Sequence, residues 1–207
     1  MTVVRHRHVD ISGVRVFHRE SVPDRPDAPA LLLLHGFPSG SHQFRGLIDA
    51  LGSRYRVIAP DYPGFGHTRT PEGFAYSFDR LADITEGFVA RLGLTRFAMY
   101  VFDYGAPVGF RLALRHPGWI AGIIAQNANA YEEGLSDWFR GHIALRPQEP
   151  GAQDALRSRL IVVSLFPSAA RNANGNSGPL KSAAAKFDTA SSISTAFIAN
   201  VPTNFFV

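Results

Sequence analysis

No cysteine occurs in the 207 residues, so a disulfide framework and thiol chemistry are both excluded. Lysine is almost as scarce: only Lys181 and Lys186 occur, and arginine supplies the other fixed positive charges. No apolar run approaches the roughly 20 residues that a membrane-spanning helix needs, so no membrane partner is expected. The stretch Met1-Thr2-Val3-Val4-Arg5-His6-Arg7-His8 is charged early and lacks the apolar centre of a signal peptide. The expectation is a soluble, cytoplasmic protein. The net charge of +4 comes from scattered arginines. Without a basic helix face or an aromatic-interleaved basic patch, nucleic acid is not an expected partner. His6, His8, His18, His42 and His67 have no metal-ligand spacing with carboxylates. No metal and no cofactor is expected.

Hydrophobic residues make up 45% of the chain, enough for a sizeable core in one domain, or one domain with an appendage. Arg5 to Asp10 and Val14 to Arg19 alternate around Ile11-Ser12-Gly13, which predicts an antiparallel hairpin at a sheet edge. Ala30-Leu31-Leu32-Leu33-Leu34 is continuously apolar, as in a strand covered on both faces. Ser41 is a candidate N-cap for an amphipathic stretch from His42 to Leu51. Arg56 to Pro60 reads as the next strand, and a helix is expected from Ser77 or Asp79 to about Leu92, closed by Gly93. Trp119 to Ala125 reads as a further apolar strand. Strands alternating with helices imply a mostly parallel α/β sheet.

Past about Leu145 this organisation fades. Asp154 to Arg159 fits a short helix, and Leu160 to Phe166 fits a strand or a buried helical turn. Arg171 to Gly178 reads as loop or disorder.

The most informative stretch is Phe97-Ala98-Met99-Tyr100-Val101-Phe102-Asp103-Tyr104-Gly105-Ala106. A buried strand ends abruptly at an acid, small residues follow, and a helical pattern runs from Val108 to Leu114. Such a turn presents Asp103 at the carboxyl end of a parallel sheet and aims the next helix's first amides at the same place. Two other loops, His35 to Ser41 and Asp61 to Thr68, end strands at the same edge, where open α/β sheets bind ligands. As a lone signal Asp103 reads better as a helix cap; the other two loops favour the elbow.

Together, His35-Gly36-Phe37-Pro38, Asp61-Tyr62-Pro63-Gly64-Phe65-Gly66 and Phe102-Asp103-Tyr104-Gly105-Ala106 resemble the α/β-hydrolase fold family. The similarity is to its aspartate-nucleophile branch, the epoxide hydrolases and haloalkane dehalogenases, and it covers roughly Val3 to Asp137. It implies that Asp103 is a nucleophile toward an sp³ carbon, forming an alkyl-enzyme ester. It also implies that the amides of Phe37 and Tyr104 hold the oxyanion formed when that ester is hydrolysed. Gly36 and Gly105 then allow close backbone approach. The Phe37-Pro38 pair fits the epoxide-hydrolase pattern, whereas haloalkane dehalogenases often carry asparagine and tryptophan where Phe37 and Tyr104 stand. The implied substrate is a small apolar epoxide or, alternatively, an alkyl halide. His35 and Asp61 read as loop-shaping residues, His116 as a helix C-terminal residue, and Glu132 and Glu133 as the solvated start of a cap.

In this family the acid and then the histidine follow the nucleophile. Here no histidine occurs after His142, and Asn127 or Asn129 stand where some dehalogenases carry the acid. The expectation is therefore an incomplete triad. Residues 1–137 would form the N-terminal part of the core, and residues 138–207 a divergent or disordered tail replacing the cap and the C-terminal core. The family-like sequence would stop between Leu135 and Arg146, by truncation or frame shift. The Ile120–Ala125 strand would then be an open edge unless Leu160–Phe166 pairs with it, favouring self-association. Two classes stay open: an epoxide-hydrolase-like enzyme impaired in turnover, and an inactive remnant that binds a small ligand.

Overall fold

The computed structural model describes residues 2–131, 134, 137, 140, 150–152, 154 and 197–199. The readings made above for residues 132–133, 142, 155–159, 160–166 and 171–178 lie outside these. Two compact units divide the chain. One comprises residues 1–130 and 195–207, the other residues 131–194. The first holds all of the architecture below.

A sheet forms its centre, with described strands β1 (Val3–Ile11), β2 (Val14–Val22), β3 (Ala30–Leu34), β4 (Arg56–Pro60), β5 (Phe97–Phe102), β6 (Ile120–Gln126) and β7 (Phe197–Ala199). Their order is β1-β2-β4-β3-β5-β6-β7. The pairs β3/β4, β3/β5 and β5/β6 are parallel, while β1/β2, β2/β4 and β6/β7 are antiparallel. This is the mostly parallel sheet with an N-terminal hairpin that the sequence implied. The hairpin is longer than the alternation indicated, because its register runs from Val3 opposite Val22 to Ile11 opposite Val14. Its turn uses positive φ at Ser12 (48°) and Gly13 (83°), the combination that matches strand twist in a two-residue loop.

Side-chain alternation divides β3 between two cores. Leu32 and Leu34 join Ile58, Met99 and Val101 under α2 (Phe78–Arg91) and α3 (Gly105–Arg115). Leu31 and Leu33 join Val57, Ala59, Phe44 and Ile48 on the opposite face, beside α1 (Arg45–Leu51). The continuous apolar run 31–34 is thus buried on both faces, as it must be in a central strand.

Four expectations need correction. Ser41 does not cap α1. It opens a 3₁₀ turn, Ser41–Phe44, whose side-chain cap bond is missing, and its own groups serve the neighbouring loops instead. The helix after Asp103 begins at Gly105, three residues before the apolar period becomes legible, because Pro107 is tolerated in a first turn whose amides lack intrahelical partners. The last apolar strand starts at Ile120, since Pro117–Trp119 forms a 3₁₀ turn. The β6 edge is also not left open: β7 pairs with it from Ile123 opposite Ala199 to Ala125 opposite Phe197.

Candidate active site

The three loops meet at the carboxyl ends of β3, β4 and β5. Asp103 directly follows β5 and holds φ at 50°, a left-handed conformation that aspartate tolerates better than most residues. Its carbonyl accepts from the Ala106 amide at 2.9 Å, which closes the turn. Its side chain points back across the loop junction. Oδ1 accepts from the Phe37 amide at 2.9 Å and from the Tyr104 amide at 2.7 Å. Oδ2 takes no hydrogen bond among the described residues. The side chain makes no cap bond to α3, so the helix-cap reading does not describe this aspartate.

Glycine is required where these segments touch. A Cβ on Gly36 would lie 2.5 Å from Asp103 Cβ, and one on Gly105 would lie 2.2 Å from the Leu34 carbonyl oxygen. Both distances are below any real contact, so the Asp103 loop and the His35 loop interlock only with hydrogen at these positions.

His35 is fully buried. Its Nε2 accepts from the Tyr62 amide at 3.1 Å, so Nδ1 carries the proton and donates to the Gly36 carbonyl at 3.0 Å. Burial pulls its pKa below the usual imidazole value, against the smaller opposing effects of the Gly36 carbonyl hydrogen bond and of the Asp61 and Asp103 charges. A neutral imidazole with both nitrogens engaged shapes the loop. Asp61 acts likewise. Its Oδ1 accepts from the Ser41 amide at 2.6 Å and its Oδ2 from the His67 amide at 2.8 Å. Gly66, at φ 52°, wraps so tightly around this carboxylate that a Cβ would fall 1.9 Å from Oδ2.

An apolar cleft of about 510 Å³ opens beside Asp103, lined by Phe37, Phe65, Tyr76, Phe78, Leu81 and Tyr104 among others. Tyr104 packs edge-on to Phe78 (5.0 Å between centroids) and tilted against Phe37 (5.6 Å). Burial, and secondarily the Asp103 charge, raise the Tyr104 phenol pKa, so the hydroxyl stays protonated. Among the described residues no cationic side chain lines the cleft. Sequence reading missed Phe65, Tyr76 and Phe78 as lining residues. The usable signal was three aromatic residues in the loop after β4 and at the start of α2.

His116 lies at the end of α3, as expected. It stacks flat on Trp119 at 3.8 Å and lies 2.9 Å from Glu86 Oε1 without hydrogen-bond alignment. Asn127, at φ 47°, directly follows β6. Among the described residues no group of three or more His, Cys, Asp or Glu is arranged to hold a metal ion. No described helix is long and apolar enough to cross a membrane.

A carboxylate on a strand-to-helix turn, with one oxygen fixed by two converging amides, agrees with what comparison to known proteins finds. The family described as "alpha/beta hydrolase fold" matches residues 29–190, and the chain belongs to it. An uncharacterized hydrolase of Saccharomyces cerevisiae is 53% identical over 129 residues, covering 62% of this chain and 44% of the relative. Epoxide hydrolase A of Mycobacterium tuberculosis is 33% identical over 160 residues, covering 72% and 49%. Haloalkane dehalogenase 2 of the same species is 38% identical over 104 residues, covering 50% and 36%. The crystal structure of the haloalkane dehalogenase DbeA from Bradyrhizobium elkani shares the fold, with a TM-score of 0.65 at 24% identity over 80% of this chain and 58% of that one. The chain therefore spans about half the length, or less, of these curated relatives.

Proposed function

We propose that the chain carries the nucleophile half of an epoxide-hydrolase-like active site, with Asp103 as the attacking carboxylate. The observation that carries this is the asymmetry of its two oxygens. Oδ1 is held by the Phe37 and Tyr104 amides, while Oδ2 takes no hydrogen bond among the described residues. In the forward step Oδ2 forms a bond to an sp³ carbon of the substrate, and the carbon–oxygen bond of the epoxide breaks with its electron pair going to oxygen. Oδ1 becomes the carbonyl oxygen of the resulting ester. When water later attacks Cγ, the negative charge builds on Oδ1, already seated between two amide donors. These donors are pre-positioned for the ester hydrolysis rather than for the alkylation.

The apolar cleft, with no cation among its described lining residues, favours a neutral substrate with aromatic or alkyl substituents. The dehalogenase relatives keep an alkyl halide as the second reading. There the carbon–halogen bond breaks and halide leaves. Neither the phenyl ring of Phe37 nor an indole at position 104 is available to hold that halide, which ranks this reading second.

Ester hydrolysis needs a base for water. His35 has both nitrogens engaged, so it is not that base. The expected behaviour of this chain is alkylation without efficient turnover. Incubation with styrene oxide, or with 1-bromobutane, followed by intact mass measurement tests it. A single adduct that maps to Asp103 and is missing in Asp103→Asn is the expected result. Sustained diol production would show a working base, and an unchanged mass with both compounds would mean a fold without the chemistry.

A further inference from the structure

The N-terminal hairpin carries a second cavity, of about 370 Å³, remote in chemistry from the apolar cleft. The β1/β2 register places His6 opposite Arg19, His8 opposite Phe17, and Asp10 opposite Arg15. Alternation along both strands puts these six side chains on one face of the ribbon. Arg69 joins them because its backbone pairs with that of Arg15, through N–H···O bonds of 2.9 and 3.0 Å. His67 closes the ring, edge-on to Phe17 at 4.9 Å.

Arg19 is the organised member. Its Nε donates to Ser41 Oγ at 3.2 Å, and its Nη1 lies 2.8 Å from His6 Nε2. Since the guanidinium can only donate, His6 accepts on Nε2 and is a neutral imidazole. The guanidinium also lies 5.5 Å from the centroid of the Phe17 ring. It is thus oriented by two neutral acceptors and an apolar floor, with its full positive charge left uncompensated. Among the described residues none of Arg15, Arg19 and Arg69 has a carboxylate within 4.0 Å. Asp10 is the one carboxylate on this stretch of the ribbon, and it makes no such contact. Burial, then the positive charges of Arg19 and His67, hold the His6 pKa below its usual value, as expected where cations crowd together.

An arginine held in place without a counter-ion is a poor way to stabilise a fold and a good way to meet an anion. We propose that this cavity is a binding site for a phosphate group, with Arg19 as the positioned fork and Arg15 and Arg69 as flanking charges. The planar guanidinium matches two phosphate oxygens at once, and three arginines suit a dianion better than a carboxylate. The cavity exceeds the volume of phosphate alone, so a phosphate monoester fits. That ester is either a soluble metabolite or a lipid headgroup. The site is independent of the chemistry at Asp103.

The test is a titration of the full chain with inorganic phosphate at low ionic strength, followed by NMR of the arginine Nε and imidazole resonances. Saturable shifts at Arg19 and His6 are expected. Arg19→Gln and Arg69→Gln should each weaken binding, Arg19→Gln by about tenfold or more. Asp10→Asn should tighten it by removing the opposing charge. Arg25→Gln removes the same charge elsewhere, from an exposed pair with Asp27, and should leave binding unchanged. Arg69 has an exposed side chain without a carboxylate contact, so its variant keeps the test valid if Arg19→Gln fails to fold. Absence of saturable shifts in the parent chain, or equal weakening by Arg25→Gln and Arg69→Gln, overturns the site. Sedimentation with phosphatidylcholine vesicles containing phosphatidate identifies the source. Retention that needs phosphatidate and is lost in Arg69→Gln assigns a lipid headgroup, whereas phosphate binding without retention assigns a soluble monoester.

Discussion

At Asp103 two demands fall on one residue. The backbone must hold φ at 50°, and the side chain must offer an oxygen to the amides of residues 37 and 104. Asparagine meets the first demand and keeps the oxygen, but loses the negative charge that the proposed attack requires. A β-branched residue meets neither. Asp103→Asn should therefore melt close to the parent chain, while Asp103→Val loses about 2 kcal/mol or more from backbone strain and two unsatisfied amides, measured by urea unfolding. A second single-residue effect is acid sensitivity. His18 and Arg56 beside Glu20 hold its carboxyl down at about 2, against a usual 4.5. A depressed acid pKa stabilises the fold above the unfolded value and loses that contribution as pH falls from about 4.5 toward 2. His35 acts at higher pH with the same sign: its folded pKa is lowered, so the unfolded chain takes up a proton first and stability declines as pH drops below 6.5. Stability measured against pH should thus fall in two stages on acidification. Glu20→Gln should flatten the lower stage alone, by on the order of 2 kcal/mol.

Individual elements differ in how plainly the sequence declared them. β3 and β5 were legible because central parallel strands are apolar on both faces and nothing else of that length is. The elbow was legible because three loops fall at the same sheet edge; alone, an acid between an apolar run and small residues fits a helix cap as well. Ser41 was misread because a hydroxyl before an amphipathic run has the same local appearance whether it caps a helix or serves a distant loop. Here its amide is taken by Asp61 and its hydroxyl by Arg19, both remote in sequence. The cleft residues were missed for a related reason: an aromatic side chain carries no local sign of which wall it will line. The packing of α3 on the sheet gives the test at this scale. A methyl on Gly105 would fall 2.2 Å from the Leu34 carbonyl oxygen, and one on Gly109 would fall 2.5 Å from Val101 Cγ1. The first contact is with backbone and the second with a side-chain terminus that can shift. Gly105→Ala should cost about 3 kcal/mol or prevent folding, and Gly109→Ala clearly less, read from denaturant midpoints.

For the molecule as a whole, membership of the hydrolase family followed from three loops read together, and the sheet order agrees with it. Nothing in residues 197–199 announces β7, since three residues of ordinary composition pair only because of where the rest of the chain has already placed β6. That pairing has a kinetic side. Residue 199 meets residue 123 across a separation of 76 positions (199 − 123), so its closure entropy is about 4 kcal/mol by the logarithmic loop law. A three-residue ladder returns little against that. The β3/β5 ladder spans nearly as long a separation, from Ala30 opposite Phe97 to Leu34 opposite Val101, but it sets five residue pairs of apolar central strands against that closure where β7 has three. β7 should therefore dock after the folding transition state and undock without global unfolding. In native-state hydrogen exchange its amides should open at a lower free energy than those of β3 and β5. Equal protection of β7 and β5 would mean that the last strand belongs to the same cooperative unit as the central ones. The order of events matters for a growing chain: the Asp103 elbow and its two amide donors lie wholly within residues 35–104 and are complete in sequence long before the strand that covers the sheet's far edge is made.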